Sequence, residues 1–202
     1  MKNITVSLQI AIVSTSKELF DPFLKYLENL SHKNTNHSAY HDKKSYYEYF
    51  IIFENIPIKI KLHLAEDFNY LINNYEKTKN IDILIILTAE REDNKLKLSR
   101  NHLNQINELF LSSPSFIQVY IEREKNSSDE MIEKQLIEKA KNLGILYLFK
   151  IQPYQNEINE IFSNIFKDFI LKFKFLSPEL FEKAKACGIQ LCQEEEKQKA
   201  FL

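Results

Sequence analysis

The fold class this sequence predicts is an α/β domain of three layers, a mostly parallel sheet with helices on both faces and one antiparallel edge strand. Three observations predict it. Short apolar, β-branched runs alternate along the chain with segments whose apolar residues recur at the helical period, which is the ordering of a parallel sheet. Ile81 to Leu87 (IDILIIL) is almost wholly apolar, as a strand covered on both faces must be. Glu157 to Phe173 carries Ile158, Ile161, Phe162, Ile165, Phe166, Phe169, Ile170 and Phe173 on one side of a helix, a stripe wide enough to cover a sheet.

Each element follows in order. Gln9 to Ser14 (QIAIVS) reads as a buried first strand. Thr15-Ser16-Lys17-Glu18 has the pattern of a capping box, opening a helix through Asn29 with Leu19, Phe23, Tyr26 and Leu27 on its apolar side. Residues 31 to 45 are polar and aperiodic, a surface loop. Tyr46 to Asn55 and Ile58 to Leu64 form an antiparallel pair, with Pro57 at the turn or the strand start. Phe68 to Lys77 is a short helix, Leu96 to Leu111 a longer one, Phe116 to Ile121 a strand, and Ser128 to Asn142 a helix closed by Gly144. Ile145 to Phe149 is the last strand before the striped helix. The chain then divides into a main domain, residues 1 to 175, and an extension, 176 to 202, made of a short helix and a polar tail.

Composition removes several functions. The 202 residues suit one domain, and 44% hydrophobic residues supply a large core. A formal net charge of -1 lacks the basic excess that neutralises phosphates, so direct nucleic-acid binding is not expected. Met1 to Gln9 lacks the long apolar core expected of a signal peptide, and no apolar run approaches the length of a membrane span. Cys187 and Cys192 are spaced off the usual zinc pattern and read as free thiols. His32, His37, His41 and Asp42 share one loop and read as solvated side chains, not metal ligands. The acids Glu66, Asp67, Glu90, Glu92 and Asp93 follow strand ends, but no nucleophile set accompanies them.

The element order is that of a small GTPase, a P-loop-NTPase-like arrangement whose motifs have defined addresses. A phosphate-binding loop needs glycine for its tight backbone and ends in Lys then Ser/Thr. This chain has only two glycines, Gly144 and Gly188, and the turn after the first strand runs Ser14-Thr15-Ser16-Lys17-Glu18-Leu19-Phe20-Asp21. The metal-contacting stretch after the third strand reads His63-Leu64-Ala65-Glu66, where histidine suits a hard cation poorly. The guanine-reading stretch is Arg123-Glu124-Lys125-Asn126, without the carboxylate that receives the base edge. Three failures together predict a lost nucleotide site: no catalysis, no cofactor, no metal.

Ile60-Lys61-Leu62-His63-Leu64-Ala65, Ile81-Asp82-Ile83-Leu84-Ile85, Leu109-Phe110-Leu111, the first strand and helix (IAIVSTSKELFDPFLKYL), Leu146-Tyr147 and Phe175-Leu176-Ser177-Pro178-Glu179-Leu180 together resemble the centromere protein M family. These are pseudo-GTPases of the inner kinetochore. The resemblance covers about residues 8 to 190 and departs in two places: Ser14 replaces a glycine of some relatives, and Ser31 to Pro57 is longer. It implies a non-enzymatic nuclear subunit at the centromere that braces the helical-repeat centromere protein I, in a complex with centromere proteins H and K. Leu111 is turned about 100° from Phe110 on its helix, which leaves it near the surface. The segment after the last core helix has apolar residues and no sheet left to cover, so it either folds back onto its own domain or offers an apolar patch to a partner. With the resemblance as guide, Leu111, Leu180, Phe181 and Ala184 are the expected partner-binding residues. Two further readings stay open: a pseudo-GTPase scaffold of a trafficking or ciliary complex, and a nucleotide-dependent enzyme whose site has moved.

Overall fold

The structure is a computed structural model, and it describes residues 4–31, 46–89, 100–110, 114–121, 130–145, 147–152 and 155–200. Six strands form one sheet: β1 (Val6–Val13), β2 (Tyr47–Phe53), β3 (Ile56–Ala65), β4 (Ile83–Ala89), β5 (Ser115–Ile121) and β6 (Tyr147–Ile151). Their order is β2-β3-β1-β4-β5-β6. Only β2 runs antiparallel to its neighbour, from Tyr47 opposite Leu62 to Phe53 opposite Ile56. β1 pairs in parallel with β3, Val6 opposite Ile58 to Val13 opposite Ala65, and with β4. The expected α/β class, mostly parallel sheet and antiparallel edge pair are all present.

Period-two alternation sorts the strand side chains into two cores. Leu8, Ile10 and Ile12 of β1, with Ile83, Ile85 and Leu87 of β4, face a layer made by α1 (Asp21–Leu30), α6 (Gln155–Leu176) and α7 (Pro178–Ala200). Ala11 and Val13, with Leu84 and Ile86, face the opposite layer, which contains α2 (Phe68–Asn73), α4 (Arg100–Leu109) and α5 (Glu130–Leu143). All seven residues of β4 are buried, which is why its sequence shows no alternation. A single helical turn, α3 (Tyr75–Thr78), follows α2.

Several local expectations are corrected. The capping box does not form: Lys17–Leu19 is a 3₁₀ turn whose preceding Ser16 makes no side-chain cap. The helix starts at Asp21 because Pro22 occupies its first turn, where a missing amide costs nothing and the fixed φ is already helical. The β2-β3 turn is Glu54-Asn55, both at positive φ (49° and 65°), a two-residue hairpin; Pro57 lies just inside β3. α7 is a helix of 23 residues and not a short one, so Glu194 and Glu196 are exposed helix surface. Gly144 has φ +73° immediately after α5, the left-handed closure expected of it. The loop of residues 32–45, with its three histidines and Asp42, lies outside the described residues.

Polar side chains also lie in the core. Gln118 on β5 is fully buried, and among the described residues neither its Oε1 nor its Nε2 has a hydrogen-bond partner. A buried amide without partners forfeits its hydration. Gln118→Leu should therefore stabilise the domain by about 1 kcal/mol in urea unfolding, and a loss of stability would show that the amide is satisfied.

Candidate functional site

The turn after β1 is the address that the sequence reading gives to a phosphate-binding loop. Ser14 is buried; its amide donates to the Ala65 carbonyl at 3.0 Å, and its Oγ accepts from the Ser16 amide at 3.2 Å. The Leu19 amide donates to Ser16 O and the Phe20 amide to Lys17 O, while the amides of Phe23 and Leu24 both donate to Phe20 O. These six donors are engaged within the turn, its helix and the end of β3. Leu19 and Phe20 turn into the core. Lys17 reaches Glu66 at 2.9 Å between exposed side chains, a pairing worth little, and Asp67 accepts from the Tyr70 amide at 2.7 Å to cap α2. The two acids that follow β3 thus have structural duties. His63, at the address of the metal-contacting motif, is buried with its ring 5.4 Å from that of Tyr46. Among the described residues no group of three His, Cys, Asp or Glu side chains could hold a metal, and no helix is long and apolar enough to cross a membrane. Arg123 to Asn126, Glu90, Glu92 and Asp93 lie outside the described residues.

The other end of the sheet carries the exposed apolar surface. Pro178 has no amide to continue α6, and the residue before a proline is pushed out of helical geometry, so the chain bends at Ser177 and restarts as α7. α7 then packs back on the domain. Phe181, 7% exposed, meets Phe173 edge-on at 5.9 Å between centroids, and Ala184 is fully buried. Gly188 completes the i, i+3, i+7 line: a Cβ built on it would lie 2.0 Å from the Asn55 carbonyl oxygen in the hairpin turn. Phe181 and Ala184 are thus core residues of this chain, a correction to their expected place on a partner-binding surface. Leu180, 45% exposed, remains outside; Leu111 lies outside the described residues.

Beside Leu180, the last turn of α6 exposes Phe175 (86%) and Leu176 (77%), and Leu171 stands one turn earlier on the Phe175 side. The sequence reading missed Leu171 although its signal was available, because it follows core residue Ile170 and so points about 100° away from the stripe. Large apolar side chains gathered at one elbow mark an interaction surface more often than chance exposure does.

A cleft of about 340 Å³ opens next to this elbow, between the N-terminal ends of the parallel strands and the second half of α6. Ile83, Ile117, Phe149, Ile165 and Phe169 make its apolar walls, and Leu176 belongs to both the cleft and the exposed ridge. Asp82 stands at its edge as a tie between strands: its Oδ2 accepts from the Gln9 amide at 2.8 Å, its amide donates to Gln9 O, and its carbonyl accepts from the Ser115 amide. Burial pushes the Asp82 carboxyl above the usual carboxylate range, while the Gln9 amide and Lys172 pull it back. A carboxyl raised by folding stabilises below its unfolded pKa and loses that contribution as pH rises through its folded value. Asp82→Asn keeps an acceptor for Gln9 and removes the buried charge. It should raise the melting temperature near neutral pH, and the gain should shrink as pH falls and the wild-type carboxyl takes up its proton; a gain independent of pH would refute this account.

No protein-family model matches the chain, and no curated protein matches it.

Proposed function

We propose that the chain is a non-enzymatic pseudo-GTPase subunit of the inner kinetochore, which holds the helical-repeat centromere protein I in a nuclear complex with centromere proteins H and K. The single observation that carries a binding role is the elbow of Leu171, Phe175, Leu176 and Leu180, apolar and exposed at the point where α7 turns back on the domain. The strand order β2-β3-β1-β4-β5-β6 with one antiparallel neighbour supports the GTPase-like frame. The amides of Ser14, Ser16, Leu19 and Phe20, engaged within the turn or by β3, and the inward Phe20 support a lost phosphate site, since an anion cradle needs its donors pointing outward. The choice of centromere partners rests on the resemblance of the segments described above.

Affinity capture tests the reading. The wild-type chain should recover centromere proteins I, H and K, and Phe175→Glu with Leu176→Glu should lose them by at least about tenfold while the melting temperature stays put, since charges at exposed positions cost the fold about 0.5 kcal/mol or less. A folded wild-type chain that captures none of the three overturns the centromere assignment and returns the question to another scaffold. Thermal melts with GTP, GDP, ATP and Mg²⁺ address the enzyme alternative: a ligand at about 100 times its dissociation constant adds about 2.7 kcal/mol. A shift of that size would overturn the loss of the nucleotide site.

A further inference from the structure

The cleft beside the elbow has a charge pattern that selects its occupant. Asp82 and Asp168 supply two carboxylates, against the one ammonium of Lys172. Lys172 donates to Ser115 Oγ at 3.1 Å and, among the described residues, closes an ion pair with neither acid. Each acid has one oxygen engaged, Asp82 by the Gln9 amide and Asp168 by the Tyr147 hydroxyl at 2.6 Å, which leaves an oxygen of each without a partner among the described residues. An anion would face two carboxylates, and a neutral apolar group would strip water from them uncompensated. A flat cation on an apolar stem meets neither cost: its plane can lie on the walls of Phe149 and Phe169 while its donors reach carboxylate oxygen. Guanidinium suits that geometry better than a compact, strongly hydrated ammonium.

Because Leu176 borders both the cleft and the exposed ridge, whatever covers the ridge passes the mouth of the cleft. We infer that the cleft receives an arginine side chain from the protein partner that covers Leu171, Phe175 and Leu176, a step that rests on the binding role proposed above. The ridge supplies apolar contact, and the cleft supplies the charge that selects one partner segment over others.

Three ligands of one shape and three charges test the cleft: benzamidine (+1), benzamide (0) and benzoate (−1), titrated by NMR into the whole ¹⁵N-labelled chain. Benzamidine should shift the amides of Tyr147, Phe149, Asp168 and Phe169 saturably, with a dissociation constant about tenfold below that of benzamide, and benzoate should not bind. In the Asp82→Asn, Asp168→Asn variant, with a melting temperature at or above wild type as its control for folding, the preference for benzamidine should vanish. Capture of the partner complex should fall about tenfold in the same variant. Equal affinity for the three ligands, a preference that survives in the variant, or capture unchanged by it would each overturn the inference. Loss of capture by the Phe175 and Leu176 variant alone would uphold the ridge and sink the cleft. A wild-type chain that captures nothing but still prefers benzamidine would sink the kinetochore reading and the partner arginine, leaving a cation site of another source.

Discussion

Replacing Gly188 by alanine is expected to destabilise the protein by about 3 kcal/mol, although the same change in an ordinary helix stabilises it by up to about 1 kcal/mol. The opposite signs make the experiment decisive. Gly188 lies in the middle of α7, where glycine is otherwise a liability, and its Cα faces the hairpin turn: a new Cβ would stand 2.0 Å from the Asn55 carbonyl oxygen, 2.7 Å from its carbon and 3.2 Å from a ring carbon of Pro57. Two of these three atoms are backbone, held by a hairpin whose Glu54 and Asn55 already occupy positive φ. Relief must come from α7 lifting away, which uncovers Phe181 and Ala184. Urea unfolding of Gly188→Ala should show a lower midpoint, and a dye that reports exposed apolar surface should bind it before the main transition. A midpoint at or above wild type would mean that α7 does not dock on the hairpin.

A second large effect is expected at Phe162, where truncation to alanine should cost about 4 kcal/mol. Phe162 is fully buried at the contact between α1 and α6. Its ring stacks on Tyr26 at 5.1 Å and 8° between planes, meets Phe23 edge-on at 6.1 Å, and lies 5.7 Å from Phe166. The Tyr26 hydroxyl donates to Asn159 Oδ1 at 2.7 Å, fixing the same two helices from the polar side. Removing the ring loses its transfer free energy, leaves a cavity and breaks three aromatic contacts, in a core too well packed to collapse. Phe175→Ala is the matched control, the same substitution on the same helix at a side chain that is 86% exposed, and it should change stability by about 0.5 kcal/mol or less. Comparable losses at both positions would contradict the orientation of α6.

That contrast shows what was legible in the sequence and what was not. The stripe from Ile158 to Phe173 could be read because every fourth residue of a long helix faces one way, and the structure buries Ile158, Ile161, Phe162, Ile165, Phe166 and Ile170. β4 could be read because only a strand covered on both faces is apolar throughout. The start of α1 was misplaced because two local signals compete there, and the steric rule at Pro22 outweighs the hydrogen-bonding pattern of Thr15 to Glu18. The β2-β3 turn was hidden because Glu54 and Asn55 adopt the positive φ that glycine usually supplies. Of the expected surface residues, Phe181 and Ala184 fail on one point, the direction of the chain after Ser177.

From its residue pattern alone the chain determined the layers: which segments are strands, which are helices, and that the sheet is mostly parallel with β2 reversed at its edge. Periods of two and 3.6 residues are local properties, so a linear reading captures them. Tertiary structure alone decided which residues of α7 stay uncovered. α7 has few apolar residues and a weak period, and its course is set by the bend at Pro178 and by the close approach of Gly188 to a hairpin far away in the chain. Burial of Phe181 and exposure of neighbouring Leu180 follow from that docking, because a contact between distant segments fixes which side of a helix meets water.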